Sequence, residues 1–388
     1  MSTYTETEPS FTARASATPV QTRSERPKSA DVADFEPITG REAAWKYTPV
    51  AELVALSDGP LDGGSYDFRI DDGRGIRTSW VPRDHALVGG AGLPEDRASA
   101  NAWTQFERAL LIELSGEEPF TATLTREGLG ATARAAHTIV SVAPHTHATL
   151  IFESRGEALL TENVEFVVGD GANLTVVSLQ EWNDGAKHVS AHFAKIGRDA
   201  RLKHVVVSLG GKIVRLNPSV RLAGSGSDAE MLGVYFADAG QHLEHQVFVF
   251  HEADHTKSRV TYKGALQGAG AHTVWIGDVL IGPDAVGTDS YEQNRNLVLT
   301  DGTRADSVQN LEIETGDIEG AGHASATGRF DDEQLFYLQS RGIPEDEARR
   351  LVVRGFLVEI VQQIGIPPLV DRLNDAIEAE LATEGDRA

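Results

Sequence analysis

Between residues 119 and 319 a short apolar, β-branched run returns repeatedly behind a turn of small residues, and this alternation limits the fold more than any other feature of the chain. The runs include Thr138-Ile-Val-Ser-Val142, Val164-Glu-Phe-Val-Val168, Leu174-Thr-Val-Val177, Val205-Val-Val207, Gln246-Val-Phe-Val-Phe250 and Thr273-Val-Trp-Ile276. The turns include Gly169-Asp-Gly-Ala172, Gly197-Arg-Asp-Ala200, Gly224-Ser-Gly-Ser-Asp-Ala229 and Gly268-Ala-Gly-Ala271. β-Branched and aromatic side chains fit a pleated, half-buried surface, and glycine lets the chain turn where other residues are strained. Two architectures suit the pattern. In a β-solenoid each coil buries its inner face only by stacking on the next, and small corner residues let coils approach. A sandwich of antiparallel hairpins also yields short strands between glycine turns. The pattern by itself leaves both open.

The flanks have a different texture. Residues 1–35, rich in Ser, Thr, Ala, Glu and Pro, have the composition of a disordered arm. Residues 36–116 read as a mostly helical region. Within it the spacing of Trp103, Phe106, Leu110 and Leu114 predicts a helix over 94–114. Residues 117–320 form the β core, and 321–388 read as a C-terminal helical domain. There Ala348, Leu351, Val352, Phe356 and Ile360 share one face, and Leu369, Leu373, Ile377 and Leu381 mark a final amphipathic helix.

The chain contains no cysteine, which excludes disulfides, zinc ribbons and any cluster held by its own thiolates. Its formal net charge is −23, with no clustered Lys and Arg to displace counterions from a nucleic acid or to bind an anionic membrane. There is no long uncharged apolar run and no signal-peptide pattern at the start, so a cytoplasmic location is expected. No GxxxxGK[ST], GxSxG or HExxH motif occurs, so the chain brings no P-loop, nucleophile elbow or zincin site.

Histidines are the remaining candidates for chemistry. His145 and His147 share one face of a strand, as a cupin-like metal enzyme would require, but no second motif supplies further ligands. His242, His245, His251 and His255 form the densest cluster, from which His251 is retained as a candidate metal ligand. His323 stands in Gly320-Ala-Gly-His-Ala-Ser-Ala-Thr-Gly328, read as a junction between the β core and the helices, where minimal bulk leaves the imidazole accessible. A carbohydrate-active β-helix protein is the other class that the solenoid texture admits.

The stretch His323-Ala-Ser-Ala-Thr-Gly-Arg-Phe-Asp-Asp-Glu-Gln-Leu-Phe-Tyr-Leu-Gln-Ser-Arg-Gly-Ile343 resembles the signature of the SufB/SufD family of iron–sulfur cluster assembly proteins. Glu347-Ala-Arg-Arg-Leu-Val-Val-Arg-Gly-Phe356 continues the likeness. Trp45-Lys-Tyr-Thr-Pro49, and His251 with Ser258 and Lys263-Gly264, match further motifs, so the resemblance runs from about residue 36 to the end. It implies a right-handed parallel β-helix flanked by helical regions. It also implies a scaffold without enzymatic activity of its own, paired with SufB and carrying the SufC ATPase on its C-terminal helices. SufC would be bound around Gln334, Leu335, Phe336, Tyr337, Arg341 and Gly342. The lack of cysteine places the chain on the SufD side, where His323 would face a SufB cysteine across the interface. Some relatives have a cysteine at the position of Ala321. Iron or a nascent iron–sulfur cluster would be shared with SufB, with no cofactor in the isolated chain, and self-pairing is expected when SufB is absent.

Overall fold

The computed structural model describes residues 23–71, 74–329 and 332–382. The recurrent apolar runs are strands. The first nine are β1 (Arg69–Ile70), β2 (Ile76–Pro82), β3 (Arg108–Leu114), β4 (Phe120–Glu127), β5 (Gly130–Val142), β6 (His147–Gly156), β7 (Ala158–Val168), β8 (Asn173–Trp182) and β9 (Lys187–Ile196). The others are β10 (Arg201–Ser208), β11 (Ile213–Leu222), β12 (Asp228–Ala237), β13 (His242–His251), β14 (Lys257–Leu266), β15 (His272–Ile281), β16 (Asp289–Val298), β17 (Arg304–Ile313) and β18 (Gly320–Arg329).

From β3 onward even-numbered strands stack in one sheet and odd-numbered strands in the other. All pairings among them are parallel; only β1 on β4 and β2 on β3 run antiparallel. Each coil therefore gives one strand to each sheet, which is a parallel β-solenoid and excludes the hairpin sandwich. A coil advances the chain by 28 residues between Thr125 and Glu153 and by 32 between Ser258 and Ser290.

Most of the small-residue turns owe their composition to one corner of the coil; Gly268-Ala-Gly-Ala271 lies at the other, where Gly240, Gly270 and Gly302 also take positive φ. At the first corner His145, Gly171, Asp199, Gly226, His255 and Gly287 stack with φ of 60, 66, 54, 71, 54 and 70°. This left-handed conformation is easiest for glycine and tolerated by Asp and His. Each amide donates to the next coil, as from Gly171 to the Arg198 carbonyl at 2.8 Å and from His255 to that of Val286 at 2.7 Å.

The strands read as continuous apolar runs because both faces of each sheet are covered. Inside lie in-register columns such as Leu174, Leu202 and Ala229. On the outside of the even-numbered sheet, Val177, Leu179, Val205, Val207, Leu232 and Phe236 pack against Val353, Leu357, Ile360, Leu373 and Ile377. The latter belong to the long C-terminal helices Glu345–Gln363 and Pro367–Ala382, which follow a shorter one, Asp332–Ser340. Outside the odd-numbered sheet, Trp45, Leu53 and Leu56 cover Val189 and Ile213, while Trp103 and Phe106 cover Ile139 and Phe193.

Three expectations about the flanks change. Residues 23–35, expected in a disordered arm, lie ordered against the solenoid; residues 1–22 fall outside the described part. Arg23 is buried, its Nε 2.6 Å from Glu95 Oε2 and its Nη1 2.5 Å from the Gln246 carbonyl oxygen. One cation satisfied by distant partners has no local signature. Second, residues 36–116 are not mostly helical: their described α-helices are α1 (Val54–Ser57) and α2 (Arg97–Gln105), among turns and strands β1–β3. The Asp96 side chain caps α2 by accepting from the Ser99 amide, and Phe106 is extended. Ala109-Leu-Leu-Ile112, expected to continue that helix, is a strand buried on both faces. Third, the region expected to turn helical at 321 begins with β18, so the C-terminal helices, now α3, α4 and α5 in chain order, start at Asp332.

Candidate functional site

Along the solenoid axis the interior changes character. The column Val176, His204, Met231, Val260 continues in register to Glu292 and then His323. The neighbouring inward positions of the last coils are equally polar: Asn294 and Asn296 on β16, Ser307 and Gln309 on β17, Ser325 and Thr327 on β18. β17 and β18 are the terminal strands of their sheets, so among the described residues this polar interior lies at an open end.

His323 sits on β18 and not in a junction loop. Its side chain is 43% exposed, and its Nδ1 is 3.7 Å from Oε1 of Glu292, which is 2% exposed. Neither Glu292 oxygen has a hydrogen-bond partner within the protein among the described residues. Burial, with a smaller effect of the Asp278 charge, pushes the Glu292 carboxyl up to about 8. Behind it stands Gly277, where a Cβ would come 2.5 Å from Glu292 Oε2 and 2.3 Å from Trp275 Cη2. Glycine is required there to leave the carboxylate room.

The adjacent amides are fully engaged. Asn296 Nδ2 donates to Asn294 Oδ1 at 2.8 Å and to Ser307 Oγ at 3.1 Å, and Tyr235 donates to Asn296 Oδ1 at 2.6 Å. By contrast Tyr262 Oη, Trp275 Nε1 and Gln309 Nε2 are buried without partners among the described residues. The open end thus joins an ordered amide network to a carboxylate and donors that no neighbour satisfies.

The other histidines do not join it. His251 is fully buried, Nδ1 2.7 Å from Thr256 Oγ1 and Nε2 2.9 Å from Ser258 Oγ, and burial lowers it to about 3. With both nitrogens taken by hydroxyls, it is not offered to a metal. The resemblance that pairs it with Ser258 reflects this internal contact. His242 meets Glu244 at 2.9 Å and His245 meets Ser208 at 3.0 Å, whereas His255 forms the corner. His145 is likewise a corner residue and His147 an exposed strand start, on a parallel solenoid and not on the antiparallel barrel of a cupin. Among the described residues no group of three or more His, Asp or Glu is arranged to hold a metal.

The residues expected to bind an ATPase lie on and after α3. Leu335 is buried, while Phe336 is 72% and Tyr337 55% exposed. The Arg341 guanidinium lies 4.7 Å from the Tyr337 ring centroid, and Gly342, at φ 86°, ends the helix turn. Gln334 falls within α3, and its side chain lies outside the described residues.

Glu292 was not singled out by its sequence context alone. The available signal was Tyr291-Glu-Gln-Asn-Arg-Asn296, a polar run in the position where earlier coils place Val and Leu.

Comparison with known proteins finds chains similar to this one over most of its length. The model for the SufBD core domain of the SUF system of FeS cluster assembly matches residues 123–356. An iron–sulfur cluster assembly SufBD family protein of Mycobacterium tuberculosis is 51% identical over 364 residues, 91% of each chain. One from Mycobacterium leprae is 47% identical over 371 residues, covering 93% of this chain and 94% of the relative. A second M. leprae protein of that family name is 28% identical over 227 residues, 58% of this chain and 26% of the relative.

Proposed function

The chain belongs to the SufBD family of iron–sulfur cluster assembly proteins, and from that premise we propose that it is the SufD-type scaffold of a SUF complex, holding iron or a nascent cluster at an interface with a SufB-type partner. The observation that carries this reading is the open solenoid end, where an accessible His323 stands on a terminal strand of small residues. A terminal strand offers unpaired backbone groups to another chain. The run Ala321, Gly322, Ala324, Ser325 and Ala326 lets that chain approach closely. With no cysteine of its own, the chain would complete an iron site by adding an imidazole to the partner's thiolate, a mixed nitrogen and sulfur set suited to iron.

ATP hydrolysis belongs to a SufC-type subunit in this scheme, docked on the exposed Phe336 and Tyr337 of α3. Movement there has a packed route inward. α3 touches α4, and α4 lies on β12 and β14, where Lys263 Nζ donates to the Phe356 carbonyl oxygen at 3.1 Å and to Glu359 Oε2 at 2.5 Å. β14 pairs with β16, and β16 with β18. Drawing two ATPase subunits together would thus shift the histidine strand as part of a rigid body. No described helix is long and apolar enough to cross a membrane.

The test is His323→Ala in the co-expressed three-component complex, with iron and acid-labile sulfide measured after purification. The expected result is loss of most iron with the complex intact. Unchanged iron and cluster content would remove His323 from the function.

A further inference from the structure

We propose that Glu292 is a second iron donor of this chain, its carboxylate oxygen binding a divalent iron ion together with the His323 imidazole at the open end of the solenoid. The inference rests on the scaffold reading above and names a residue that reading does not need.

Four observations converge on it. Glu292 and His323 are direct partners on adjacent parallel strands, so their side chains leave the same face of the sheet. Their facing atoms are 3.7 Å apart. Two donors bound at about 2.1 Å to one ion stand at most about 4.2 Å apart, so one ion fits both with little movement. Both Glu292 oxygens are buried and lack donors among the described residues, although buried carboxylates held for stability are hydrogen-bonded. Finally, Gly277 keeps the far side of the carboxylate clear.

The chemistry defines the ligand. A hard carboxylate oxygen with an imidazole nitrogen favours ferrous iron and similar divalent ions over the soft ions that thiolates select. Two donors leave most coordination positions to water or to a partner chain. Such a site loads an ion and releases it, which suits iron handled as cargo. The Glu292 side is dry and the His323 side exposed, so the ion would enter past the imidazole.

The full chain, purified without its partners and kept anaerobic, is titrated with cobalt(II), whose visible absorption reports its ligands. Glu292→Gln, His323→Ala and, as a control on an exposed carboxylate nearby, Glu319→Gln are compared with the parent. Gln preserves the shape of Glu292, and circular dichroism with the thermal midpoint verifies folding. The proposal predicts at least about tenfold weaker cobalt binding and altered bands for both Glu292→Gln and His323→Ala, with Glu319→Gln like the parent. Parent-like binding by Glu292→Gln while His323→Ala is impaired overturns the proposal and leaves the scaffold reading standing. Failure of the parent chain to bind cobalt also overturns it. If His323→Ala in the complex keeps its iron as well, the scaffold reading falls separately.

Discussion

Replacing Glu244 with Gln should remove one defined share of the acid sensitivity of this fold. Glu244 lies on β13 beneath the N-terminal segment and receives four donors. They are Thr48 Oγ1 at 2.7 Å, Arg215 Nε at 3.0 Å, His242 Nε2 at 2.9 Å and Gln246 Nε2 at 2.5 Å. Arg215 also reaches Asp96 at 2.9 Å and the Ala44 carbonyl at 3.0 Å, with its guanidinium 3.7 Å from the Trp45 ring centroid. Burial alone would raise the Glu244 carboxyl, but the Arg215 charge and the hydrogen bonds outweigh it and bring it down to about 2 from 4.5. A depressed carboxyl stabilises the fold above its unfolded value, and that stability is lost as pH falls from 4.5 through 2. Converted at 1.36 kcal/mol per pH unit, the depression is worth about 3 kcal/mol at neutral pH and roughly half of that at pH 3. Urea unfolding followed by circular dichroism at pH 7, 5 and 3 should show Glu244→Gln about 3 kcal/mol less stable at pH 7, with the gap closing on acidification. A gap that stays constant over this range would refute the linkage.

Two further outcomes follow from packing. Arg126 holds Glu162 through bonds of 2.5 and 2.6 Å inside the solenoid, and His188 adds one of 2.7 Å. Arg126→Gln should therefore cost about 3–5 kcal/mol in urea unfolding, since it strands a buried carboxylate, and a loss below 1 kcal/mol would contradict that picture. If the proposed ATPase docks on α3, Phe336→Ala with Tyr337→Ala should weaken its co-purification by about tenfold or more while leaving the thermal midpoint of the chain nearly unchanged, because both rings are exposed; undiminished association would refute docking there.

The strands were legible because a local cause produces each one: β-branched runs make the strands, and the left-handed corner forces Gly, Asp or His at one position per coil. Helices α4 and α5 were legible for the same reason, through their apolar spacing. What that spacing did not show is which surface the apolar face meets. It meets the outside of the even-numbered sheet, so intramolecular burial accounts for Val353, Leu357 and Ile360, whereas Phe336 and Tyr337 stay exposed. The N-terminal region departs from its local sequence pattern where the deciding forces are non-local. Residues 108–114 carry a helical spacing, but they lie between β2 and β5, and sheet pairing overrides a nine-residue helix capped at Asp96. Arg23 is ordered by Glu95 and by carbonyls of β11 and β13, partners that no window around it contains. At the site, His323 stood out by its small neighbours, while Glu292 needed the coil register to bring it alongside.

Glu244 and Glu292 are a controlled comparison within one fold. Both are almost wholly buried, and the described residues surround the first with four donors and the second with none. Stability cannot account for the second arrangement. The same inward column accommodates Val176, Met231 and Val260 in earlier coils, so an apolar residue fits the geometry and would avoid an unsatisfied group costing about 1–3 kcal/mol or more. A solenoid whose interior simply needed closing would end on an apolar or fully paired layer. This one ends on a carboxylate unpaired among the described residues, behind an accessible imidazole, an arrangement that the proposed cation or partner chain would complete. On the proposal above, the stability forgone at Glu292 is a cost of binding, whereas the donors around Glu244 serve the internal seam between the N-terminal segment and the solenoid.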